Sequence, residues 1–188
     1  MRKHQVKTAI FTSSQTADNM KKRFPDMNIM YCPEAVDTSL FQRGKQLSER
    51  TSDMFEYGRG STQTYSQEQF HALLTDSKLT ITFPRSITHP EVAGEIETLT
   101  QRYWEGMLSR IVMVGHAPKE LIDLVGYNPV VEMNKEHADE QTQDILTHIN
   151  DYQDLVEKNR ETALRVGDWT LRMCQVKEWL RKCGYNVI

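Results

Sequence analysis

The sequence is poor in cysteine, and its Cys32, Cys174 and Cys183 are odd in number and lack CxxC spacing. That argues against a disulfide scaffold or a zinc ribbon. No apolar run approaches the roughly 20 residues a membrane span needs. The amino-terminal MRKHQVKTAIFTSS carries charge but no apolar core followed by a cleavage site, so a signal peptide is not expected and a cytoplasmic protein is. Excess positive charge is missing as well. With 23 Lys and Arg against 26 Asp and Glu, neither nucleic acid nor an anionic membrane surface is the expected partner. Several signatures are absent. Without GxGxxG after the first apolar run or GxxxxGK[ST], a dinucleotide oxidoreductase or P-loop NTPase finds no support. There is no GxSxG nucleophile elbow. There is also no Asp-x-Asp or HExxH, and the histidines are scattered, so no metal is expected.

What is present is a mixed-charge, 188-residue chain with large apolar residues throughout, enough for one ordinary globular core. Strands are expected at 7–13, 28–31, 53–57, 79–83, 111–114 and 129–132. Helices are expected at 16–24, 66–74, 98–108 and 118–124, then at 138–149, 152–165 and 169–183, the last capped by Asp168. Residues 33–50 are polar and turn-rich and read as a linker. It would join a strand-helix-strand unit at 1–32 to a Rossmann-like domain at 51–188. IVMV and LTITF are continuous apolar runs, as centrally buried parallel strands should be. Strand-helix alternation therefore predicts an α/β fold, a parallel sheet with helices on both faces. In the last helix Trp169, Met173, Val176 and Leu180 recur on one stripe and are expected to pack against the core.

Ligands of such sheets bind at the carboxyl ends of the strands. Three segments there carry unusual chemistry. In Tyr57-Gly58-Arg59-Gly60-Ser61-Thr62, Gly58 and Gly60 admit close backbone approach, and Arg59 offers a fork for phosphate; a plain turn with a solvated arginine is an equal alternative. The long 83–91 segment carries Arg85 and His89. In EIETLTQRYWE, Glu97 and Glu105 lie eight residues apart, Glu97 at the helix entry and Glu105 within it. Eight helical residues rise about 12 Å. That suits gripping two ends of an extended polar ligand, since the paired carboxylates of a glycoside hydrolase stand roughly 5 to 9.5 Å apart. Arg102, one turn before Glu105, would form a local ion pair if it has no other role. Ile96, Leu99, Tyr103 and Met107 make the core-facing stripe.

The order of these pieces resembles the donor-binding half of retaining GT-B glycosyltransferases, the group 1 or family 4 type. The family's E-x7-E matches Glu97 and Glu105. TQRYWEGMLSRIVMVG is similar to the helix, turn and strand that follow, and YGRG to the Gly-Arg element of the donor domain. GHAPKELIDLVGYNPVVEM is similar to the Gly-rich loop, helix and strand, TSSQTADNMKKRFPDMNIMYCPEAVDTSLF to the passage entering the linker, and LVEKNRETALRVGDWTLRMCQVKEWL to the terminal helices. The family has a lysine soon after Gly-Arg, where GRGSTQTYSQ has none, and its double glycine is Gly115-His116-Ala117-Pro118 here.

The resemblance implies a hexosyltransferase-type enzyme binding a nucleotide-diphospho-sugar without other cofactor or metal. By it, Glu105 binds ribose hydroxyls and Glu97 faces the transferred sugar, with backbone amides near Gly94 to Ile96 alongside. Arg59 holds the diphosphate, Arg102 or Arg85 replaces the missing lysine, and the helix from Thr98 adds its dipole to the anion site. It also implies an acceptor domain or partner subunit outside this chain, so that the chain alone binds nucleotide and transfers sugar very slowly. The competing expectations are a non-catalytic nucleotide-sugar-binding or interaction protein derived from the fold, and one subunit of a split glycosyltransferase.

Overall fold

The computed structural model describes residues 6–58 and 64–187. Two parallel sheets carry the fold. The smaller pairs β1 (Thr8–Phe11) with β2 (Asn28–Tyr31) across helix α1 (Ser14–Arg23). Ser13 is extended and its hydroxyl accepts from the Thr16 N–H at 3.3 Å, while Lys21, Lys22 and Arg23 fill the last turn, so both ends of α1 are matched to its dipole.

The larger sheet runs β3 (Ser52–Met54), β4 (Ser77–Thr82), β5 (Val112–Gly115) and β6 (Val131–Glu132), all parallel and in chain order. Crossovers that step the same way with the same hand place their helices on one face. These are α2 (Gln67–Asp76), α5 (Gln101–Ser109) and α6 (Lys119–Val125). Their Leu74, Tyr103, Trp104, Met107 and Leu121 build one core with Met113 of the sheet. The other face, from Leu79, Val112 and Val114, is covered by Leu47 and by Ile145 of α7 (Ala138–Thr147), Ile149 and Val156 of α8 (Gln153–Val166). The expected α/β class, a parallel sheet with helices on both faces, is what the chain adopts.

Several details depart from the sequence-based expectation. The third strand ends at Met54, because Phe55 turns into the core. The 83–91 segment is not a plain loop but forms the single-turn helices α3 (Arg85–Thr88) and α4 (Pro90–Ala93). Residues 33–50 are firmly packed, with Val36, Phe41, Leu47 and Arg50 all buried. The Arg50 guanidinium donates to the carbonyls of Leu74, Ser77 and Ser109 at 3.2, 2.6 and 2.8 Å, and its Nε to that of Lys45. The terminal helix α9 (Trp169–Lys182) buries only Arg172 fully, and Met173 of the predicted stripe is 45% exposed while Trp169, Val176 and Leu180 are half-buried.

Asp168 caps α9 as expected, accepting from the Thr170 N–H at 2.7 Å, and also takes the Thr38 hydroxyl at 2.7 Å and the Thr38 N–H at 3.1 Å. The bonds from Thr38 and then Thr170 hold its carboxyl well below the ordinary carboxylate range. A depressed carboxyl stabilises the fold above its unfolded value and loses that contribution as pH falls through the folded one. Asp168→Ala is therefore expected to cost about 1 to 2 kcal/mol at pH 7. Urea melts should show the gap to wild type narrowing only below about pH 4. A gap unchanged at pH 3 would rule out this role for the carboxylate.

Candidate functional site

At the carboxyl edge of the large sheet, the end of β5 is pressed against β4. Gly115 sits at φ +148°, and a Cβ there would lie 1.9 Å from the Thr82 carbonyl oxygen, so only glycine fits. His116 N–H then donates to the Thr82 carbonyl at 2.9 Å, and Met133 N–H to the Gly115 carbonyl at 2.8 Å. The Tyr103 phenol donates to the His116 carbonyl at 2.8 Å. This stitching delivers the His116 ring to the edge, about 30% exposed.

Glu97 meets that ring. Its Oε1 lies 3.1 Å from His116 Nε2, and its Oε2 accepts the Lys119 N–H at 3.3 Å. On its other side His116 Nδ1 lies 2.6 Å from Glu132 Oε1. Burial works against a positive ring, but the bonds and charges of Glu132 and Glu97 outweigh it, and the net effect lifts the imidazole above its usual range.

Glu97 is not at the helix entry. Thr100 is the N-cap and Gln101 the first helical residue of α5. Nor is that entry open to an anion. The Gln101 N–H donates to Glu34 Oε2 at 3.2 Å, and the Leu99 N–H to the buried Glu120 carboxylate, whose other oxygen accepts the Ser14 N–H at 3.0 Å. Two carboxylates thus already take donors at the helix start whose dipole was expected to serve the anion site.

Glu105 lies on α5, half-buried, and among the described residues it forms neither hydrogen bond nor salt bridge. Burial pushes its carboxyl up to about 7, against the pull of Arg102. The expected Arg102–Glu105 ion pair does not form. The Arg102 guanidinium instead sits over the Tyr57 ring, 5.4 Å from its centroid, while the Tyr57 hydroxyl donates to the Arg102 carbonyl at 3.2 Å. Gly58 makes the room, since a Cβ at its φ of +115° would fall 1.6 Å from an Arg102 nitrogen. Burial and the charge of Glu105 raise the Tyr57 phenol well above its ordinary range.

The structure thus gathers Glu97 with His116, and Glu105 with Arg102, Tyr57 and Gly58. Arg85 is exposed on α3, Gly94 ends α4 at φ +58° facing open space, and Ile96 is half-buried. None of the three is hydrogen-bonded or ion-paired to either glutamate. Arg59 and Gly60 lie outside the described residues. Sequence reasoning noted His116 only as a change in a glycine loop and did not single out Glu132, Glu120 or Glu34. Nothing in their spacing announces partners that arrive from other parts of the chain. Among the described residues no group of three or more His, Cys, Asp or Glu side chains is arranged to hold a metal ion, and no helix is long and apolar enough to cross a membrane.

No family model matches this chain, and no curated protein does. Among solved structures it is similar to sucrose-phosphate synthase from Thermosynechococcus elongatus, with a TM-score of 0.62, over 94% of this chain and 58% of that one. The fold is GT-B-like. At 12% identity the likeness to this glycosyltransferase is one of fold, and it extends across both sheets rather than the larger one alone.

Proposed function

We propose that this chain forms the donor side of a glycosyltransferase, binding a nucleotide-diphospho-sugar whose hexosyl group passes to an acceptor held by another domain or subunit. The observation that carries this reading is the pair of separated carboxylates on a GT-B-like fold, one of them, Glu105, half-buried and unbonded among the described residues. A half-buried carboxylate with no bond from the described residues is poorly placed for stability and well placed to accept two hydroxyl donors, such as those of a ribose. Glu97 then faces the sugar. Arg102, already ordered on Tyr57, supplies fixed positive charge for the diphosphate, together with Arg59 by the sequence pattern. Arg85, Gly94 and Ile96 have weaker claims to donor contacts, since among the described residues none of them is hydrogen-bonded or ion-paired to either glutamate.

The test is thermal denaturation with nucleoside diphosphates and nucleotide-sugars, with EDTA present. Ligand at about 100 times its Kd stabilises by about 2.7 kcal/mol. For this chain length that is a rise of roughly 5 to 10 °C. The expected result is a shift with one base, lost in Glu105→Ala and Arg59→Ala. No shift with any base would overturn the reading.

One observation favours a second reading, a nucleotide-sugar-binding or interaction protein without transfer: Glu34 already occupies the first N–H of α5. That reading expects a thermal shift but no release of sugar when an acceptor-bearing partner is supplied.

A further inference from the structure

His116 contributes to no step of the reading above, yet its surroundings are specific. Both ring nitrogens face carboxylate oxygens, Nε2 toward Glu97 at 3.1 Å and Nδ1 toward Glu132 at 2.6 Å. An ionised carboxylate accepts hydrogen bonds and donates none, and a neutral imidazole has one N–H and one lone pair. A neutral ring would turn that lone pair against one of the two carboxylates. Only the doubly protonated ring donates on both sides.

The ring is also prevented from turning away. Its backbone is fixed by Gly115, by the Thr82 carbonyl and by the Tyr103 phenol. Each element packed around it has been accounted for. The segment before α5 brings Glu97, β6 brings Glu132, and β4 brings only backbone. From α5 comes the Tyr103 hydroxyl, which bonds to the carbonyl and not to the ring. From α6 comes Lys119, whose ammonium is held by Asp123 at 2.6 Å and whose backbone N–H goes to Glu97. Lys135, beyond β6, rests over the Phe83 ring at 5.9 Å.

We infer that His116 is a positioning residue for Glu97, a cationic clamp that ties the carboxylate meant to face the transferred sugar to Glu132 and the end of the sheet. With His116 on one oxygen and the Lys119 N–H on the other, Glu97 has both oxygens anchored and its remaining lone pairs in a fixed direction. Loss of the ring proton leaves two carboxylates around a neutral ring and frees Glu97 to rotate. Sugar recognition is therefore gated by the proton on His116, while nucleotide recognition at Glu105 is not. The inference rests on the donor-site reading.

Two measurements test it. Nitrogen NMR of the histidine rings should show His116 protonated on both nitrogens to well above the ordinary imidazole midpoint of about 6.5. Glu97→Gln and Glu132→Gln should each lower that midpoint by about one pH unit. A midpoint at or below about 6.5, or one that Glu97→Gln leaves unmoved, overturns the clamp. Calorimetry with UDP-, ADP- and GDP-glucose, each beside its nucleoside diphosphate, then separates sugar from nucleotide. His116→Gln should weaken the sugar-nucleotide about tenfold at pH 6 and leave the diphosphate unchanged. In wild type, raising the pH from 6 to 9 should bring the ratio of sugar-nucleotide to diphosphate affinity down to that of the variant, whatever the ionisation of Glu105 does to both ligands alike. Equal loss for both ligands, or none, overturns the positioning role. Should His116→Gln fail to fold, Glu132→Gln, on the exposed side of the ring, carries the same expectation in weaker form. Failure of every nucleotide to bind wild type would overturn the donor-site reading and with it the sugar-facing role, while the ring titration decides the clamp by itself.

Discussion

Arg50→Ala is expected to lower the melting temperature by roughly 8 to 16 °C. No other side chain described above joins as many parts of the structure. Its buried guanidinium gathers carbonyls from the end of α2, the start of β4, the end of α5 and the passage before β3. The Leu74 and Ser109 carbonyls lie in the last turns of their helices, where no intrahelical donor follows. Burial pushes the guanidinium down to about 10, with the neighbouring Arg110 adding to that push, yet it remains charged at neutral pH and donates throughout. Truncation leaves those carbonyls buried without donors. Charge-assisted bonds of this kind are worth about 1.5 to 3 kcal/mol each but do not sum, so a net loss of about 4 kcal/mol is expected. Arg43, whose side chain is 62% exposed and which pairs with Glu157, is the control. Its alanine variant should stay within about 0.5 kcal/mol of wild type. An Arg50→Ala protein melting as late as Arg43→Ala would show that the network is ornamental.

Glu105→Gln should do two opposite things. Its carboxyl sits at about 7 in the folded chain because burial disfavours the charge. In the unfolded chain it titrates near about 4.3. The folded state therefore holds the proton more tightly. Stability from this group is fully present below about pH 4.3 and is lost as pH rises through about 7, leaving a cost above it. Glutamine removes the charge with little change of shape. At pH 8 the variant should be about 2 kcal/mol more stable than wild type, and at pH 4 no more stable. The same variant should bind the nucleoside diphosphate at least about tenfold more weakly, since a charged acceptor for two hydroxyls is gone. Gain of stability with loss of binding is the mark of a residue kept for its ligand. A variant equally stable or unstable at both pH values would mean that Glu105 is an ordinary helix surface residue.

Much of the fold was legible because it rests on local chemistry. Asp168 starts the last helix by capping, and the apolar residues of IVMV and LTITF announce buried parallel strands. What could not be read are the long-range satisfactions. Glu34 and Glu120 look like solvated residues in the sequence, and only the packing of the two sheets brings them to the backbone of α5. They also explain why α5 starts later than its apolar stripe suggests, since Leu99 donates to a carboxylate instead of opening a turn. The two glutamates of the site were visible through their spacing, and Arg102 through its proximity. Its true partner, Tyr57, comes from the passage after β3. His116 was masked by its neighbours, because a single histidine in a loop has no period to betray it.

The order in which a ribosome releases this chain gives one of its contacts a further meaning. The passage leaving the small sheet is bound to the start of α9, through Val36 N–H to the Gly167 carbonyl at 3.0 Å, Trp169 N–H to the Val36 carbonyl at 3.1 Å, and Thr38 to Asp168. The hydroxyls of Thr8 and Tyr185 meet as well, at 2.5 Å. The small sheet is thus held in part by residues released long after its own. Until those later residues have emerged the small sheet lacks these contacts, and a two-stranded sheet of that size is marginal by itself. Nascent chains stalled before residue 167 should therefore be protected from proteases across the large sheet and cut readily in the first thirty-odd residues.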